Sequence, residues 1–134
     1  MYGYETYKTN DIETASQLKL IVMLYSGAIK FAHLAIEAIE NKNIESANNN
    51  IIKTQNIISE LLSSLDFKAG SIAEDLSGLY IYIHRLLVEA NIQKNTAPIK
   101  ESITLITNLK NGWDDLLAKE NTSAKNTSNI NISG

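Results

Sequence analysis

The sequence predicts an all-α protein: an antiparallel up-down four-helix bundle with a mobile N-terminal segment and a disordered C-terminal tail. Three observations predict it. Four long stretches repeat apolar residues at three- and four-residue steps, the period of a helix packed along one side. Only one proline, Pro98, and six glycines interrupt 134 residues. The breaks between the stretches are short, which sets neighbouring helices antiparallel. Residues 1–13 then form a separate covering segment, 14–119 the bundle and 120–134 the tail.

The first helix is expected to begin near Thr14 or Ser16. Thr14 and Gln17 have the spacing of a capping box, and Ser16 suits a later start. It should run to about Asn41, with Ile29, Ala32, Ile36 and Ile39 on its inner face. Asn43 caps the second helix, whose seam reads Ile44, Ala47, Ile51, Ile58, Leu61, Leu62 and Leu65. The run from Asp66 to Gly70 breaks it. Ser71 and Glu74 form a second capping box opening the third helix, with Ile72, Leu76, Leu79, Ile83, Leu86 and Ala90 inward. Asn95, Thr96 and Pro98 end that helix and start the fourth, since proline is tolerated in a first turn. Ile99, Ile103, Ile106, Trp113 and Leu117 face inward there. Nine of the fourteen residues from 121 to 134 are Asn, Ser or Thr. Such a tail cannot offset its ordering entropy by burial.

Residues 18–25, LKLIVMLY, set the functional question. Seven of the eight are apolar, and at about 100° per residue they reach every side of the helix. A bundle helix needs one apolar stripe, so this stretch carries more than a core can cover. The run is too short to span a membrane, because Ser26, Gly27, Lys30 and His33 follow it. A secretory signal would need a basic segment before the run, where Glu5, Asp11 and Glu13 stand instead, so none is expected. A cytoplasmic location is expected.

Composition removes other classes. A net charge of −3 with scattered lysines and one arginine does not build a phosphate-backbone surface. With no cysteine, neither disulfides nor thiolate chemistry is available. Di-iron bundles need a glutamate three residues before each histidine. Lys30 precedes His33 at that spacing and Ile81 precedes His84. No zinc pattern is present either. The adjacent carboxylates Glu74 and Asp75, and Asp114 and Asp115, point in different directions on a helix. No catalytic residue, metal or cofactor is expected. Two alternatives remain. One is a histidine phosphotransfer-type bundle around His84, with Arg85 stabilising the phosphate. The other is a structural homodimer through the first helix.

The same residues carry a family resemblance. Thr14, Ala15 and Ser16, then Leu20, Met23, Leu24, Tyr25, Gly27 and Ala28, resemble the opening motif of the flagellin export chaperones, the FliS family. Tyr7 and Ile12 are similarly spaced before it. Later matches are Ile58, Leu61, Leu65 and Asp66, then Ile72, Ala73, Leu76, Leu79, Tyr80, Tyr82, Leu86, Ala90 and Asn91, and finally Trp113. The similarity spans residues 5 to about 118. Two departures stand out. Gln17 replaces the usual proline, which leaves the helix start less sharply set, and Ser26 replaces an acidic residue beside the expected groove.

The resemblance implies a small cytoplasmic bundle without catalytic activity. It implies binding of the disordered C-terminal segment of flagellin, prevention of premature polymerisation and delivery to the flagellar type III export apparatus. An export-gate component is a further implied partner, and the chaperone is a monomer or weak homodimer. The expected partner-binding residues are Tyr7, Ile12, Leu20, Met23, Leu24, Tyr25, Tyr80, Tyr82 and Asn91. Tyr7 and Ile12 lie outside the seams and would cover the groove or touch the client. Tyr25, Tyr80 and Tyr82 pair an apolar ring with a polar tip and suit groove walls. Met23 adapts to varied partners. Core packing is the competing expectation for each.

Overall fold

The computed structural model describes the backbone of residues 2–133 and the side-chain environments of residues 16–68 and 70–122. Four helices follow one another: α1 (Tyr2–Glu40), α2 (Ile44–Ser63), α3 (Ser71–Gln93) and α4 (Thr96–Ser133), with a 3-10 turn at Phe67–Ala69. Among the described residues there is no strand. α1 packs on α2 and α4, and α3 packs on the same two, so the helices form a closed square whose diagonal backbones do not approach. This is the up-down bundle.

α1 has 39 residues and α4 has 38, against 20 in α2 and 23 in α3. At about 1.5 Å per residue the two long helices reach about 58 Å and the short ones 30–35 Å. α1 and α4 therefore run past the end of the bundle marked by the α2–α3 connection. The helix start expected at Thr14 or Ser16 is not a boundary, since helical backbone continues back to Tyr2. No proline lies between, and one glycine, Gly3, is tolerated. The tail proposed from residue 120 likewise lies beyond the bundle, and most of its side chains fall outside the described residues.

The connections follow local rules. The Asn43 side chain accepts from the Ser46 backbone N–H at 3.1 Å, capping α2 as expected. Asp66 Oδ1 accepts from Lys68 N–H at 3.0 Å and opens the 3-10 turn. The capping box expected at Ser71 and Glu74 does not form, because Gly70 at φ +85° is the N-cap and no side chain bonds there. At α4, Asn95 Oδ1 accepts from Ala97 N–H at 3.0 Å, and Pro98 follows in the first turn.

Side-chain size divides the core along its length. Near the α2–α3 connection it is filled by Tyr25 and Tyr80, with Trp113 packed against them. Toward the opposite end α1 contributes Ala28, Ala32, Ala35 and Ala38, α2 contributes Ala47 and α3 contributes Ala90; all are buried. Small side chains let helix backbones approach closely. Buried Thr54 and Ser102 return their hydroxyls to the carbonyls of Asn50 and Pro98, both at 2.9 Å, so neither is left unpaired. Ile44 and Ile72 are corrections. Both follow the seam period, yet each sits in a first turn at a bundle end and is exposed.

The segment Ser16–Glu40 is long and apolar enough to cross a membrane by length and composition. Here Tyr25, Ala28, Ala32 and Ala35 within it are wholly buried against the other helices. A core-facing stripe accounts for much of its apolar character.

Candidate partner-binding surface

LKLIVMLY divides between core and surface. Tyr25 is fully buried, and Ile21 and Leu24 are half-buried against the core. Leu20 and Met23 are 55% and 61% exposed. They are three residues apart, so they share the outer face of α1. Gly27 and Leu34 continue that face at helical steps, and Leu34 is exposed as well. An ideal Cβ on Gly27 would lie 3.3 Å from Ile57 Cδ1, so α2 comes close at this level and walls one side of the stripe.

At the α2–α3 connection, on the core-facing side of α1, a cavity of about 200 Å³ is lined by Ile21, Leu61, Leu65, Ile72, Tyr80 and Trp113, with other residues. Tyr80 closes its inner side. Exposed Ile72, displaced from the expected seam, stands at its edge. The cavity has the size and apolar lining to take a side chain rather than a whole small molecule.

Tyr25 and Tyr80, expected as groove walls with polar tips in water, are core residues. Their hydroxyls bond each other across the bundle, and Trp113 Nε1 donates to Tyr25 Oη at 3.1 Å. The rings are tilted, with centroids 6.5 Å apart for the tyrosines and 6.4 Å for Tyr25 and Trp113. Burial disfavours both phenolates. It pushes the Tyr80 hydroxyl far above the ordinary tyrosine range, reinforced by the bond to Tyr25. Tyr25 is pushed up by burial too, partly offset by the bonds from Tyr80 and Trp113. Neither can act as a base near neutral pH.

Tyr82 is exposed on α3. Its hydroxyl donates to Glu101 at 3.0 Å across the α3–α4 edge, and that carboxylate raises its pKa. Asn91 neither caps α3 nor meets solvent freely. Its amide donates to Asn48 Oδ1 at 2.8 Å, joining α3 to α2, while Lys94 in the left-handed conformation forms the C-cap. Tyr7 and Ile12 have side chains outside the described residues. The structure thus brings Leu20 and Met23 together on α1, puts Tyr82 on a different edge, and makes Asn91 a strut.

Chemistry other than binding has little support. Among the described residues no group of three metal-ligating side chains comes together. His84 is half-buried on α3 and His33 is exposed on α1, on different helices. The residues missed by sequence reading are apolar ones left in water on the α2–α3 face, Ile52, Ile81, Val88 and Ile92. Their four- and seven-residue spacing was visible, but it is offset from the seam by less than one turn.

The family model of flagellar protein FliS matches residues 1–120. The chain is 37% identical over 117 residues to the flagellar secretion chaperone FliS of Bacillus subtilis, covering 87% of each chain. It is 36% identical over 115 residues to the same-named protein of Campylobacter jejuni, covering 85% of this chain and 90% of that one. With the Salmonella typhimurium chaperone the figures are 32% over 123 residues, 87% and 91%.

Proposed function

We propose a function from one plain premise: the chain belongs to the flagellar protein FliS family, whose curated relatives are secretion chaperones. Its client is flagellin. In the cytoplasm it binds the disordered C-terminal region of flagellin, prevents premature polymerisation and hands the client to the flagellar type III export apparatus. Binding, and no catalytic step, is the function.

The observation that carries this reading is the split of LKLIVMLY. One side belongs to the core and, through Ile21, to an apolar cavity, while Leu20 and Met23 are left in water on the outer side. Each exposed aliphatic side chain forgoes about 1.5–3 kcal/mol of burial. Contiguous apolar surface of this kind usually marks a partner site. A disordered client segment that folds as an amphipathic helix would place apolar side chains over Leu20 and Met23. Residues 1–13, with Tyr7 and Ile12, cover this surface before the client arrives. That role requires the chain to bend back near Thr14 to Ser16.

Calorimetric titration of the full chain with the C-terminal segment of its own organism's flagellin tests the reading. Folding on binding should give a negative heat-capacity change, with favourable enthalpy offsetting ordering entropy. Client helicity should rise by circular dichroism. A segment that stays disordered, with no heat of binding at several temperatures, would remove flagellin as the client.

A further inference from the structure

About three-quarters of the way along α1, the outer stripe acquires charge. Phe31 follows Gly27 and precedes Leu34 at helical spacing, so it lies on the face that begins with Leu20 and Met23. Two ammonium groups stand over its ring: Lys30 Nζ at 5.9 Å from the centroid, and Lys53 Nζ of α2 at 5.3 Å. Among the described residues neither lysine joins an ion pair; the pair found there is Lys110 with Asp114. A chain of net charge −3 therefore holds two uncompensated cations on one half-buried ring. An anion set beside this ring is within reach of both ammonium groups and is attracted by each. Beyond Phe31 lies a mostly polar pocket of about 260 Å³ between α1 and α2, where Leu34 and Ala38 stand with Glu37, Asn41, Asn43 and Asn50 among others.

We propose that the α1–α2 groove is the docking site for an amphipathic helix whose central side chain is a carboxylate, held between Lys30 and Lys53. Its apolar side chains lie on Met23 at one end and Leu34 at the other. Met23 to Leu34 is eleven residues, about 17 Å or three turns at 1.5 Å per residue. The carboxylate falls about two turns from the Met23 contact and one from the Leu34 contact. Gly27 lets Ile57 of α2 close in beside it, which gives the groove its α2 wall between Met23 and Phe31. The charge pattern is specific. Glu37 lies one turn beyond Leu34, and the register set by Gly27 and Ile57 brings Glu60 to the level of Met23. An acidic residue is welcome at the middle of the partner and unwelcome at its ends. This distinguishes the site from a general polyanion surface. The groove rests on the chaperone reading only for the source of the helix, which is the exported client.

The test uses two designed 18-residue peptides, long enough to be helical when bound, with groove-facing leucines at i, i+4 and i+11. One carries Glu and the other Lys at i+7, on the same groove-facing side. The full chain is titrated with each, and side-chain and amide NMR shifts are followed. The Glu peptide should bind about fivefold more tightly, the range expected of a solvent-accessible ion pair or two. Its shifts should centre on Met23, Phe31 and Leu34. K30Q/K53Q should abolish the preference while leaving the melting temperature in place, and 1 M salt should shrink it in the wild type. Equal affinities for the two peptides, or shifts centred on Ile52, Val88 and Ile92, would overturn the proposal. The two readings fail separately. Tight flagellin binding with no preference for Glu keeps the client and discards the groove. A clear Glu preference without flagellin binding keeps the groove and discards the client.

Discussion

The two ends of the bundle solve the same problem with opposite materials. At the α2–α3 end three aromatic residues, Tyr25, Tyr80 and Trp113, fill the space between helices and tie their polar atoms to one another. At the other end alanines bring the helices together, and the polar link, Asn91 to Asn48, is half-buried at the rim. The wide end is where α2 and α3 stop, where the cavity opens and where Leu20 and Met23 are exposed. The narrow end has an opening too, of about 270 Å³ at the α1–α2 turn, lined by Ile39, Ile44, Ala47 and Lys94 among others. The comparison teaches that the two ends differ in what walls their openings. The wide-end cavity is backed by Tyr80 and Trp113, and the narrow-end one by aliphatic side chains and the turn.

The largest expected effects break this contrast directly. Tyr80→Ala should cost about 3–5 kcal/mol, the range for removing a buried aromatic side chain. Ala35→Leu should cost about 1–3 kcal/mol for the opposite reason, since a side chain added to a closed interface displaces the helices. Urea unfolding measures both. If Ala35→Leu is tolerated without loss, the narrow end is not tightly packed and the contrast fails.

A finer prediction concerns hydroxyls. The wide-end cluster has three donors, the Trp113 N–H and two phenol O–H groups, but only two acceptor oxygens. Tyr25 is the shared partner of both other residues. Tyr25→Phe therefore strips the Trp113 N–H and the Tyr80 hydroxyl of their partner together, and should cost about 1–3 kcal/mol. Tyr80→Phe removes a surplus donor and leaves the bond from Trp113 to Tyr25, so it should cost less than about 1 kcal/mol. Asn91→Ala, at the wetter end, should also cost about 1 kcal/mol. Equal losses for the two phenylalanine variants would show that the cluster is not organised around Tyr25.

These differences explain what was legible in the sequence. The number of helices, their order and the caps at Asn43 and Pro98 depend on residues a few positions apart, and they could be read. The burial of Tyr25 depends on partners 55 and 88 residues away, so its ring was as compatible with a groove as with a core. The Asn91 link spans 43 residues and was invisible for the same reason. Leu20 and Met23 were legible as surplus, because α1 has more apolar residues than one stripe holds. Which of the eight would be outside required the position of α2, set by Gly27 against Ile57. Ile44 and Ile72 show the converse error. Periodicity placed them inward, but a bundle end has no neighbour to cover a first turn.

The smallest effect at neutral pH becomes large only in alkali. Tyr25 and Tyr80 have folded-state pKa values raised above the unfolded value of 10.0, chiefly by burial. Raised values mean that the folded state resists losing these protons, while the unfolded chain releases them near pH 10. Their contribution to stability is therefore fully present below pH 10 and is lost as pH rises above it, through the folded values. Tyr82 also has a raised pKa, at the surface, so the bare pH dependence is not diagnostic. The difference between chains is. The unfolding midpoint of the wild type should fall more steeply between pH 10 and 11.5 than that of Tyr25→Phe/Tyr80→Phe, whereas below pH 9 the offset between the two should be constant. Tyr82→Phe should keep most of the wild-type slope, because that ring is exposed and its shift comes first from Glu101. A double variant as alkali-sensitive as the wild type would mean that water reaches the wide-end hydroxyls, and that this end of the core is open where the cavity meets Tyr80.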